Sequence, residues 1–221
     1  MSIVQGLYNL KKLHLFAGIA FLNILISWLS NRMLVDEVVF YNTFSDQLTW
    51  DRAMNLFGNL KNIAWLGYIT IPIILFIKFS VVSLILYSGA FMFNLHNELT
   101  LGSIFRVLII SEIIIILAGL VKFLWFLFFA GNYTLHDLNF FYPLSLINLF
   151  RIEEVSQFWI FPLQMVNLFQ IIYILSLSYG LYRSSGITQS GSEKIILATY
   201  LPALIVWVAF IMFLTLDTAV I

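Results

Sequence analysis

Apolar residues along this chain fall in long unbroken blocks, without the one-faced stripe of a helix that meets water. A helix needs roughly 20 apolar residues to cross a bilayer, with a working range of about 17–25. Leu13–Ser30 meets that requirement. Lys11-Lys12 before it could open a signal peptide. However, Trp28-Leu29-Ser30 leads into Asn31-Arg32 with no small-x-small cleavage site, so the segment is read as a retained span. Ile63–Leu95 is apolar for 33 residues, broken only by Lys78 and a few small polar side chains. As a helix it would measure about 50 Å against a hydrocarbon core of about 30 Å, yet halves of about 15 residues split at Lys78 are too short to cross. One long helix, with a bend at Pro72, is the better reading. Val107–Ala130, Phe158–Tyr182 and Ile195–Leu216 complete five predicted spans. The expected fold class is therefore all-α: a polytopic membrane helical bundle of five transmembrane helices, forming a single integral domain over 1–221.

The segments between spans add detail. Trp50, Met54 and Phe57 recur at i, i+4 and i+7 after Thr49, and Gly131–Gln157 holds Phe140-Phe141-Tyr142-Pro143 followed by Leu144–Phe150. Both predict short helices lying in the outer interface, or packing over the mouth of the bundle. Arg183–Lys194 is Gly/Ser-rich and reads as a flexible turn. No internal repeat is visible, which counts against a large transporter built from paired halves.

Composition agrees with this picture and narrows the chemistry. The chain is 62% hydrophobic and 10% charged, where soluble domains run at about 45–50% and about 25%. Formal net charge is zero and no basic run exists, so no nucleic-acid partner is expected. Without cysteine there are no disulfides and no thiolate metal sites. Charge placement sets the orientation. Lys11, Lys12, Arg106, Arg183 and Lys194 crowd the short segments on the N-terminal side, while the longer opposite loops mix Arg32, Arg52, Lys61 and Arg151 with seven acids. That bias, with Trp28, Trp65, Trp125 and Trp159 near the other ends of their spans, predicts N-in and C-out. The expected location is a bacterial inner (cytoplasmic) membrane.

No catalytic signature is present: H-E-x-x-H and G-x-S-x-G are absent, and His14, His96 and His136 lie in separate segments. Glu153-Glu154 invites comparison with the paired glutamates of intramembrane CAAX-type proteases, but the Arg expected three residues beyond is missing from Val155-Ser156-Gln157-Phe158. A solvated loop is the ordinary reading. Neither catalysis, a metal nor a cofactor is expected.

Ionisable residues within spans are functional candidates by default, and three qualify: Lys78, Glu112 and Lys122. Counted along their helices, Lys78 and Glu112 both fall about 8 Å from the inner boundary, so they can pair across helices. Such a pair would fix helix register; alternatively each side chain snorkels alone, or the pair handles a substrate or proton. Lys122 lies about 12 Å from the outer end and can snorkel there. Gln164, Asn167 and Gln170, at i, i+3 and i+6, form a polar stripe, and Ser176, Gly180 and Ser184 repeat a small-xxx-small spacing. The fourth span should therefore face protein, as bundle glue or as the wall of a solute path. Ser83–Asn94 is expected to overshoot the inner boundary, leaving Tyr87, Phe91 and Phe93 as a possible partner surface unless a strong tilt keeps them in lipid.

From Ser83 onward the order is a span, the turn Thr100-Leu101-Gly102-Ser103-Ile104-Phe105-Arg106, a second span, an outer loop, a span closing in Tyr179-Gly180-Leu181, a polar loop with Lys194 and a last span. Over about 140 residues this resembles the bacterial branch of the five-span Yip family, whose eukaryotic members bind Rab GTPases in vesicle trafficking. The resemblance implies a topology and a partner-binding, non-enzymatic habit, and transfers no site residue; the cytosolic N-terminal domain of the eukaryotic members is missing here. The sequence thus leads to a non-catalytic membrane subunit or scaffold, of transport, secretion or trafficking type, bound to lipid and to other integral membrane proteins. The competing expectation is a small transporter or channel whose path runs through Lys78, Glu112 and the Gln164/Asn167/Gln170 stripe.

Overall fold

A computed structural model of the chain describes residues 11–151 and 154–218; Glu153 of the glutamate pair lies outside them. The described residues form helices joined by short loops, without a named strand. In chain order the helices are α1 (Lys12–Leu34), α2 (Glu37–Phe44), α3 (Trp50–Met92), α4 (Leu101–Phe128), α5 (Leu135–Phe140), α6 (Gln157–Met165), α7 (Leu168–Ser184), α8 (Gln189–Ile195) and α9 (Leu201–Thr218). A 3-10 turn (Leu146–Leu149) lies before α6, and a π-helical turn (Ile196–Tyr200) joins α8 to α9. Four of these stretches, 12–34, 50–92, 101–128 and 189–215, are long and apolar enough to cross a membrane. The chain is thus an integral multi-pass membrane protein.

Helix α4 is the axis of the bundle. It packs on α7, α1 and α3, and Ile104, Val107, Leu108, Ile109, Ser111 and Glu112 on it are all buried. It begins a turn and a half earlier than the apolar run suggests, because Thr100 and Ser103 close a capping box: each side chain accepts from the other's amide. Helices α1 and α4 start level. The Lys12 ammonium fills the space that a Cβ on Gly102 would take, and Phe16 and Phe105, four residues into each helix, both meet Phe79 edge-on.

Helix α3 is longer than expected at its start. The separate interfacial helix expected after Thr49 is instead the opening of α3, which runs for 43 residues, continuous through Pro72. The short surface helix is α2, capped by Asp36, whose carboxylate accepts from the Val39 amide. It lies against the start of α3, with Phe40 on Phe57 and Tyr41 on Trp50. At the other end, Phe79 is level with the starts of α1 and α4, and the 13 residues from there to Met92 add about 20 Å. Helix α3 therefore runs roughly 14 Å past its two neighbours. One face of this extension, Ser83, Leu86, Gly89 and Ala90, is buried, and Gly89 backs directly on Ile195 and Thr199.

Two predicted elements come out differently. The fourth apolar block is not one helix over 158–182 but two, α6 and α7, of 9 and 17 residues, broken at Val166-Asn167. The Gly/Ser-rich stretch is only partly a turn: Thr188 accepts from the Gly191 amide, and α8 starts there at Gln189, with Gln189 bonded to Glu193 one turn on.

The close approach at Gly89 supplies a test. A Cβ there would lie 2.8 Å from Thr199 Cγ2 and 3.0 Å from Ile195 Cγ2, both on short β-branched side chains with little room to yield. Gly89→Leu should cost about 1–3 kcal/mol, the usual range for overpacking. Gly67→Ala, whose added Cβ meets nothing within 4 Å, should cost nothing. Thermal unfolding in detergent, followed by helical circular dichroism, separates the two.

Candidate functional site

Hydrocarbon cannot solvate an ammonium or a carboxylate, so the first question is what becomes of Lys78 and Glu112. They pair. Lys78 Nζ donates to both Glu112 oxygens, each at 2.7 Å. The Glu112 side chain is 3% exposed and that of Lys78 37%, so the carboxylate sits inside the bundle and the lysine reaches in from its edge. The ammonium also stands 5.6 Å from the Tyr173 ring centre and 5.9 Å from that of Phe79, at cation–π distance from both. Glu112 is 11 residues into α4, about 16 Å from its start, which places the carboxylate deeper than the sequence count suggested. Lys122 is half-buried on α4, six residues before its end.

Around this pair the polar residues of the fourth block bond within the chain. Ser111 and Ser176 share a hydrogen bond of 2.9 Å between α4 and α7. The Gln170 amide donates to the Tyr200 hydroxyl at 3.1 Å, linking α7 to the π turn. That turn inserts an extra residue into the last span, and Tyr200 is its final member. Tyr173 is buried under Lys78, and its hydroxyl has no partner, which makes it the one unsatisfied phenol of the group.

The expected stripe of three amides is split in role. Asn167 is not on a helix: it is extended, caps α7 by accepting from the Gln170 amide at 2.7 Å, and donates back to the carbonyls of Gln164 and Met165. Gln164 donates to the carbonyls of Asn139 and Phe140 instead. The spacing of i, i+3 and i+6 assumed an unbroken helix. Asn167 three residues ahead of Gln170, after Pro162, is the arrangement of a helix start, and that signal was available. Ser176, Gly180 and Ser184 do share α7; Gly180 is buried, while Ser184 bonds only to the Leu181 carbonyl of its own helix.

The break itself is covered by the loop before α6. Leu146 donates its amide to Val166, Leu168 donates to Leu144, and Ser145 and Asn167 form an antiparallel bridge. Helix ends exposed within a membrane need such partners. The loop turns into this position at Leu144, whose φ of 54° is unusual for a leucine. Tyr142, just before it, has its pKa raised, first by burial and then by the field of Glu112. Tyr173 and Tyr200 were missed in the sequence, where nothing separates them from the other tyrosines.

Tyr87 and Phe91 meet edge-on at 5.0 Å on the extension of α3, and Phe91 stacks on His96 at 4.7 Å. Phe93 is half-buried beside them. His136 stacks on Phe140 at the opposite end, and among the described residues no three His, Cys, Asp or Glu converge. Comparison with protein families, curated proteins and solved structures finds no match for this chain.

The ion pair predicts an asymmetry. Lys78→Met leaves a buried carboxylate without its counter-ion and should lower stability by about 3 kcal/mol. The double variant Lys78→Met/Glu112→Met removes both charges and should recover most of that loss. Unfolding midpoints of the wild type, both single variants and the double variant, measured in one detergent, give the coupling directly.

Proposed function

We propose that this chain is a non-catalytic, multi-pass subunit or scaffold of a larger membrane assembly, of transport, secretion or trafficking type. In this reading α6 and α7 cross together as the fifth span. The N-terminus is inside, the C-terminus outside, and the membrane is a bacterial inner one. The observation that carries the reading is the extension of α3 beyond α1 and α4. The last span covers one face of it, and the other presents Leu84, Phe91 and Met92, 53–66% exposed, with Tyr87 at its edge. With the bilayer boundary at Lys12 and Gly102, that face stands beyond the hydrocarbon, where an apolar aromatic surface needs a protein cover. The polar groups described above favour the same conclusion, because they are taken up in holding helices together. The resemblance to the Yip family agrees with a partner-binding habit.

Purification in a mild detergent, followed by mass spectrometry, tests this. A stoichiometric membrane partner should accompany the wild type and be lost from Tyr87→Ala/Phe91→Ala with the helical signal intact. A lone monomer in both samples would count heavily against it.

A second reading, a small transporter with a path beside Lys78 and Glu112, draws on one observation: an interrupted helix whose second half carries Tyr173 against the ammonium of a buried ion pair, and interrupted helices are found around transporter binding sites. Its test is solute or proton flux in reconstituted vesicles. Flux retained in full by a folded Lys78→Met/Glu112→Met variant would sink it.

A further inference from the structure

At the end of the bundle opposite the N-terminus, α1 and α3 part around an open cleft of about 630 Å³. The two helices run in opposite directions and furnish it in the same way. On α1, Arg32 follows Trp28 by one turn; on α3, Lys61 precedes Trp65 by one turn. Each wall thus has an indole below and a cation above. Both cations rest on aromatic faces: Arg32 lies 5.9 Å from the Trp28 ring centre, and Lys61 lies 5.8 Å from that of Phe57. The Asn31 amide donates to the Tyr68 hydroxyl at 3.1 Å, tying the two helices beneath the opening.

No carboxylate lines this cleft among the described residues. The acid nearest in sequence to Arg32 is Asp36, which does not line the cleft and whose Oδ1 accepts from the Val39 amide as the cap of α2. The depth is also specific. Counted from Lys12, Trp28 stands about 24 Å and Arg32 about 30 Å along α1, and the hydrocarbon core measures about 30 Å. The indoles therefore fall in the last turn of the hydrocarbon and the two cations at its boundary with the headgroups. Below them the apolar surface continues on both walls. Leu25 and Phe21 follow Trp28 on one face of α1, and Ile69 and Ile73 follow Trp65 on one face of α3, all exposed.

We propose that this cleft holds the phosphate of an anionic phospholipid between Arg32 and Lys61, with the acyl chains lying along the seam of α1 and α3. Two cations in a cleft lined by no described carboxylate select negative charge, and aromatic contact strips part of their hydration. The apolar walls beneath select a ligand with hydrocarbon tails over a free anion. The site is independent of the subunit reading and of the ion pair.

The test is native mass spectrometry of protein extracted from vesicles of equal phosphatidylglycerol and phosphatidylcholine. The wild type should retain phosphatidylglycerol preferentially. Retention should fall about fivefold in Arg32→Gln or Lys61→Gln and roughly 30-fold in the double variant. Arg52→Gln, a charge-matched change on α3 that does not line the cleft, should leave retention unchanged. Arg32→Lys/Lys61→Arg should retain the lipid, which guards against a folding defect in the glutamine variants. Equal retention of the zwitterionic lipid, or retention unchanged in the double variant, would overturn the proposal. So would displacement of the lipid by millimolar inorganic phosphate, since that would mark a soluble-anion site.

Discussion

Inside hydrocarbon a charged or hydrogen-bonding group has no solvent to fall back on, so each one must be answered by another part of the chain. The Lys78–Glu112 pair is the strongest case of that constraint, and much of the bundle is arranged around it. Glu112 is on α4, packed between α1, α3 and α7; Lys78 is on the longest helix; Tyr173, against the ammonium, is on α7. Sliding any of these three helices by one residue, about 1.5 Å, would misalign the two charges and leave them in a medium where separation is costly. Apolar packing between lipid-bathed helices carries no such register, because lipid tails are as apolar as leucine. The pair supplies the specificity that the 62% of hydrophobic residues cannot.

The same constraint explains the interruption at Val166-Asn167. Breaking a helix frees carbonyls and amides that must find partners at once. Asn167 bonds on both sides of the break, and the loop around Ser145 supplies the remaining bonds. The aromatic loop between α4 and α6 is thereby tied to the break, with Pro143, Ser145 and Ile147 buried and the residues between them exposed.

The long apolar blocks made the helices legible, since length and hydropathy alone decide whether a segment can cross. Two opposite charges within spans marked Lys78 and Glu112 as candidates for a pair, but the equal depths counted for them did not hold, because α4 starts at Leu101 and sets Glu112 deeper. Where the sequence misled, the cause was local chemistry overriding a period. Asn167 fits a helix face by spacing and a helix start by hydrogen bonding, and the second prevailed. Trp50, Met54 and Phe57 mark a helix correctly but cannot say that it continues through Gly58 into the next apolar block. The cleft over α1 and α3 depends on two residues 29 positions apart, Arg32 and Lys61, and no local pattern joins them.

One consequence follows from the uninterrupted α3. A rod of 43 residues, about 64 Å, is held at one end by α2, gripped in its lower half by α4, and ends beside the Phe91–His96 stack. Neither end is loose: α2 braces the cleft end, and the last span backs the aromatic end at Gly89. A displacement at the cleft end is therefore passed down one continuous helix into the packing at the other. The one soft point of the rod is Pro72, where it lacks a hydrogen bond, on the cleft side of Lys78. Whatever occupies one end of this helix is therefore mechanically within reach of whatever occupies the other.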